Sequence, residues 1–157
     1  MTGVVQQVLE RAIMNAELVQ ASENDVKQPM RIRFFPYMRF LNYKNSGIVL
    51  PPHIDLCRTH RFRETTTDGA STGESKETVV RRSTHTFILY LTDCFQGGAT
   101  RLLEDTKGRG RENVLSTIEP RRGRLLIFPH ATPHEGLGVL DVPKILLRGE
   151  VCFLSND

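Results

Sequence analysis

The spacing of apolar residues changes period once along the chain. Over residues 3–20, Val4, Val5, Val8, Ala12, Ile13 and Ala16 recur at helical spacing, which predicts an amphipathic N-terminal helix. The polar stretch ASENDVKQP ends it, with Pro29 as a further stop. From residue 31 the pattern becomes short apolar runs divided by turn signals, which predict strands at 31–35, 37–43, 48–55, 84–92, 98–104, 113–119, 123–129, 137–140 and 144–153. No helix-length pattern separates them, so a mainly β sandwich or barrel is expected, not βαβ units. Residues 62–82 are poor in apolar side chains and read as a polar surface loop, or as a flap over a site. In the last run Lys144, Leu146, Arg148, Glu150 and Cys152 alternate with Ile145, Leu147, Val151 and Phe153. Either the charged face is wet, or it points inward, where a cation requires an anionic ligand.

The chain has 157 residues, of which 39% are hydrophobic and 25% charged. That is the balance of one globular domain, 1–157, with its β core over about 31–153. No apolar run reaches the roughly 18–20 residues that span a bilayer, so no membrane partner is expected. The N-terminus does not read as a signal peptide. Cys57, Cys94 and Cys152 form neither a disulfide framework nor a CxxC zinc site. An intracellular location, cytoplasmic or nuclear, with reduced thiols is the expectation. Net charge is +3, and Arg supplies most of the 21 basic residues. Between Arg31 and Arg63 only Asp55 is acidic. Guanidinium groups suit carboxylate or phosphate recognition, so a small acidic substrate and nucleic acid both fit this stretch, as does a solvated face.

The candidate chemistry lies with the histidines. His53 and Asp55 stand two apart, so on a strand both side chains face one way and can reach one ion. In FPHATPHEG, His134 follows a strand-like run and precedes Gly136. Two imidazoles and one carboxylate on a β scaffold form the facial triad of non-haem Fe(II) oxygenases; zinc also accepts such a set, though no HExxH motif is present. His130, an extra imidazole four residues before His134, is expected at the rim, with a contact behind the ligands or to the substrate as the alternative, and Cys57 as a structural thiol. Tyr90 shares a strand face with Thr86, Ile88 and Thr92, either as core packing or as a donor to the same anion that an inward Lys144 or Arg148 would bind.

Taken in order, these residues resemble the prolyl 4-hydroxylase-like branch of the 2-oxoglutarate- and iron(II)-dependent dioxygenases. Tyr43 stands ten residues before His53 in RFLNYKNSGIVLPPHID; YLTD followed by GGAT, then GRLLIFPH, then PHEG complete the likeness, and Lys144 follows His134 by ten. The resemblance covers roughly residues 37–153. It implies a double-stranded β-helix, a distorted jelly roll, here with the N-terminal helix added. It further implies Fe(II) on His53, Asp55 and His134, and 2-oxoglutarate with its far carboxylate on Lys144 or Arg148, assisted by Tyr90 and Tyr43. O2 is the co-substrate and ascorbate an accessory reductant. The implied reaction hydroxylates a protein or peptide side chain, prolyl among them, with release of succinate and CO2. Two other functions compete: oxidative demethylation of nucleic acid by the same chemistry, and a non-catalytic jelly-roll module.

Overall fold

The computed structural model describes residues 31–66, 75–106 and 113–154, so the helix expected at 3–20 lies outside the described residues. The described chain is mostly β, with eleven strands in three sheets. They are β1 Arg31–Phe34, β2 Arg39–Tyr43, β3 Leu50–His53, β4 Thr59–Thr66, β5 Ser75–Arg82, β6 His85–Tyr90, β7 Thr100–Leu103, β8 Val114–Ile118, β9 Leu125–Pro129, β10 His134–Gly136 and β11 Lys144–Leu154. The larger sheet runs β1-β11-β6-β9, and the smaller runs β3-β10-β7-β8. The 11-residue β11 is long enough to take two partners on one edge: β2 pairs with Lys144–Arg148 and β1 with Val151–Leu154. The chain passes back and forth between the two sheets, and all their pairings are antiparallel. This order is consistent with a double-stranded β-helix.

Two expectations change. Much of 62–82 is not loop: β4 and β5 pair without a break from Thr59↔Arg82 to Thr66↔Ser75, forming a two-stranded ribbon. Its polar composition hid alternating His60, Phe62 and Val79, and Phe62 packs edge-on against Phe35 at 5.3 Å. The run 137–140 forms only a bridge between Gly97 and Val139, and pairing falls instead on His134–Gly136. Glycines flank Leu137 on both sides, and Gly is a poor strand former.

The larger sheet is apolar on both faces, so its strands read as continuous apolar runs and not as clean alternation. On the inner face Ile88, Tyr90, Phe128 and Leu146 pack with Leu102 and Ile118 of the smaller sheet. This fixes the direction of β11. Lys144, Leu146, Glu150 and Cys152 are buried, so the charged face of this strand is not wet. On the outer face Phe34, Phe87, Leu147 and Val151 form a second cluster. Gly149 is required there, because a Cβ would stand 2.5 Å from the Phe87 ring. Among the described residues no helix is long and apolar enough to cross a membrane.

Gly149→Ala is therefore expected to destabilise the fold by about 1–3 kcal/mol through overpacking. Phe87→Leu in the same chain should recover part of that loss. Urea unfolding of the two single variants and the double variant checks this, and strictly additive effects would contradict it.

Candidate active site

Backbone pairing brings the two histidines together. β10 lies between β3 and β7, and His134 is the direct cross-strand partner of His53. Their rings lie 4.1 Å apart, centroid to centroid. Asp55 joins them by a different route from that expected. β3 ends at His53, and Asp55 lies in the following loop, where its amide donates to the His130 carbonyl at 3.0 Å. The Asp55 side chain is 7% exposed; Oδ1 lies 3.8 Å from His53 Nε2 and Oδ2 lies 3.6 Å from His134 Nε2. The three potential ligand atoms all fall within 4.8 Å of one another.

Hydrogen bonds settle which nitrogens face inward. His53 Nδ1 meets the Pro51 carbonyl at 2.8 Å, and His134 Nδ1 meets the Thr132 carbonyl at 3.0 Å. A carbonyl only accepts, so each Nδ1 carries the proton and each Nε2 presents its lone pair to the centre. Burial holds His134 below the ordinary histidine value, which keeps it neutral. Burial alone would raise the Asp55 carboxyl, but Arg148 and Thr86 hold it below the ordinary carboxylate value. The result is two imidazoles and one ionised carboxylate with their donor atoms converging, a set that fits a divalent iron with further positions open.

Behind Asp55 lies a polar layer that sequence reading did not find. Thr86 Oγ1 donates to Asp55 Oδ2 at 2.6 Å, and Arg148 grips Oδ1. Arg148 also reaches Glu150 Oε1 at 3.6 Å, which in turn meets Arg58 Nε at 3.3 Å. His130 is not at the rim. It is 4% exposed, with Nδ1 2.9 Å from Thr86 Oγ1 and Nε2 2.8 Å from Ser83 Oγ. Cys57 is exposed. The i, i+4 recurrence of Thr86 and Tyr90 on one strand face was the only available signal for Thr86.

An open cleft is lined by His134, Arg148, Leu146, Thr100, Tyr43 and Lys144. Lys144 is 3% exposed, and among the described residues no carboxylate pairs with it. Its ammonium donates to the Gly98 carbonyl and lies 5.1 Å from the centre of the Tyr43 ring. Gly98, at φ +69°, lets the chain pass close: a Cβ there would stand 3.2 Å from the Lys144 side chain. Tyr90 does not reach the cleft. It is fully buried, and its hydroxyl donates to Thr100 Oγ1 at 2.7 Å, so Thr100 lines the space in its place, beside Tyr43.

Burial pushes the Lys144 ammonium below the ordinary lysine value, against a smaller opposing pull from Cys94. The unfolded chain would hold that proton up to about pH 10.4, so above the folded value the unfolded state binds more protons and stability rises with pH. The stability of the native chain relative to Lys144→Met should therefore increase from about pH 8 to about pH 10. A difference that stays flat in paired denaturant titrations would contradict an unpaired buried ammonium.

A sequence model described as the 2OG-Fe(II) oxygenase superfamily matches residues 38–149. That span holds all three converging ligand candidates and Lys144. Among solved structures, an RmlC-like cupin protein from Desulfovibrio desulfuricans aligns over 85% of this chain and 92% of its own, at 17% identity and a TM-score of 0.35. No curated protein matches the chain. With the family match covering most of the sequence, and the family's chemistry being oxygenation with Fe(II), 2-oxoglutarate and O2, the chain belongs to the 2OG-Fe(II) oxygenase superfamily.

Proposed function

We propose that the protein is a 2-oxoglutarate-dependent hydroxylase of the prolyl 4-hydroxylase-like branch, acting on a protein or peptide side chain, prolyl among the candidates. The observation that carries this reading is the buried Lys144 ammonium. Among the described residues it has no carboxylate partner, and it lines the same cleft as His134. A buried cation is costly unless an anion meets it, and a five-carbon diacid reaching from the ligand cluster supplies one.

His53, Asp55 and His134 would hold Fe(II), which with 2-oxoglutarate and O2 supplies the oxidising chemistry that releases succinate and CO2. The chain's own part is orientation. Pro51 and Thr132 fix the imidazole tautomers through their carbonyls. Thr86 and Arg148 hold the Asp55 carboxylate ionised and fixed in plane. Arg148 is occupied by Asp55 and Glu150, which leaves Lys144 to take the far carboxylate, with Thr100 and Tyr43 beside it. The apolar walls, Leu41, Ile88 and Leu146, exclude water and strengthen that charge pair. His53 is the most open of the three ligands, and the exposed Ile54 and Leu56 follow it, so the substrate side chain would approach from there.

One observation favours a second reading, oxidative demethylation of nucleic acid. Arg61, Arg63 and Arg82 are exposed on one face of the β4–β5 ribbon, a surface suited to phosphates.

The test supplies the purified protein with Fe(II), 2-oxoglutarate, ascorbate and either peptide or methylated oligonucleotide libraries, and measures succinate against His53→Ala. Peptide-stimulated succinate is expected. Stimulation by oligonucleotides alone, falling steeply with salt, would favour the second reading; none above the His53→Ala level would contradict both. Lys144→Met should raise the KM for 2-oxoglutarate roughly 10–100-fold, the scale of one lost charge-assisted pair. An unchanged KM would move the far carboxylate elsewhere.

A further inference from the structure

His130 carries no assigned role, yet it is almost fully buried behind the ligand carboxylate with both ring nitrogens engaged. Proton counting gives its hydrogen bonds one direction. The Thr86 hydroxyl has a single hydrogen, and it goes to Asp55 Oδ2 at 2.6 Å. Thr86 Oγ1 must therefore accept from His130 Nδ1 at 2.9 Å. A neutral imidazole has one N–H, so Nε2 is bare and accepts the Ser83 hydroxyl at 2.8 Å. Ser83 Oγ in turn accepts the Arg58 backbone N–H, also at 2.8 Å. The chain of donors runs Arg58, Ser83, His130, Thr86, Asp55 without a reversal, and bonds aligned in this way polarise one another.

Its origin lies at the ribbon. Arg58 and Ser83 immediately flank the first β4–β5 pair, Thr59↔Arg82, and the Ser83 amide donates back to the Arg58 carbonyl at 2.8 Å. Arg58 reaches Asp55 by a second arm as well: its side chain meets Glu150 Oε1, Glu150 meets Arg148, and Arg148 holds Asp55 Oδ1. The two arms end on different oxygens of one carboxylate.

We infer that His130 is a positioning residue for the ion-binding carboxylate, the central link of a directed relay that ties the root of the β4–β5 ribbon to Asp55. The relay sets the carboxylate plane by taking one lone pair of Oδ2 while Arg148 takes one of Oδ1, leaving the remaining pairs to face the two imidazoles. Coupling of this kind is reciprocal: filling the ion site steadies the ribbon root, and loosening the root weakens the site. The inference rests on the reading of His53, Asp55 and His134 as ion ligands.

The test has two parts. In the metal-free protein, nitrogen NMR of the imidazoles should show His130 as the Nδ1–H tautomer; an Nε2–H signal would reverse the relay and overturn it. Next, Co(II) affinity is measured by chelator competition. His130→Phe, which keeps the ring volume without hydrogen bonds, should weaken Co(II) binding roughly 10–100-fold, and His130→Gln, whose amide can accept from Ser83 and donate to Thr86, should recover most of it. Should His130→Phe fail to fold, Ser83→Ala replaces it, with an expected weakening of about 2–12-fold. Affinity at the native level in the folded variant would overturn the relay. Native Co(II) binding no tighter than in His53→Ala would instead sink the ion-site reading, while the tautomer result would still judge the relay.

Discussion

The site depends on β10, three residues long and hydrogen-bonded on both edges. Its place between β3 and β7 makes His134 the cross-strand partner of His53, so two imidazoles far apart in sequence meet through backbone register alone. A register slip of one residue would turn His134 to the other face of the sheet. The side chains then add what the backbone cannot. Carbonyls of Pro51 and Thr132 choose the tautomers, and Thr86 with Arg148 chooses the charge and plane of Asp55.

Charge is arranged along β11 as a consequence of its alternation. Lys144, Arg148 and Glu150 all face the smaller sheet, yet their surroundings separate their parts. Arg148 stands between Asp55 and Glu150 and is neutralised where it lies. Glu150 draws Arg58, and more distantly Arg39 at 3.9 Å, toward the same oxygen. Lys144, two turns of the pleat away, has a carbonyl and an aromatic face and, among the described residues, no acid. One strand thus anchors the Asp55 carboxylate at one point and, among the described residues, offers a positive charge with no acid beside it at another, with Leu146 between them as an apolar wall.

Much of this was legible in the sequence. Short apolar runs between turn signals located eight of the eleven described strands, and the order Tyr43, His53, Asp55, His134, Lys144 marked two groups that share His134: the cluster with His53 and Asp55, and the cleft lined by Tyr43 and Lys144. The gaps have physical causes. Among the described side chains of β4 and β5, Phe62 is the buried hydrophobic one, so composition made the segment look like loop although the backbone pairs from Thr59↔Arg82 to Thr66↔Ser75. Strand periodicity placed Asp55 on the same run as His53, whereas the strand ends at His53 and a hydrogen bond to the His130 carbonyl sets Asp55. Tyr90 faces inward as expected, but its hydroxyl stops at Thr100, a distance that no periodicity encodes. His130 stood out as an extra imidazole near His134, but its burial behind Asp55 is set by partners remote in sequence, and Ser83 gave no signal for the same reason.

The central claim is that one cleft joins an iron site on His53, Asp55 and His134 to an anion site on Lys144. Anaerobic titration of the protein with Fe(II) and 2-oxoglutarate tests it most directly, read as the weak visible metal-to-ligand absorption of the chelated complex. That band is expected in the native protein, is expected to be absent in His53→Ala, and in Lys144→Met is expected only at much higher 2-oxoglutarate. No band in the native protein, or an unchanged titration in Lys144→Met, would contradict it.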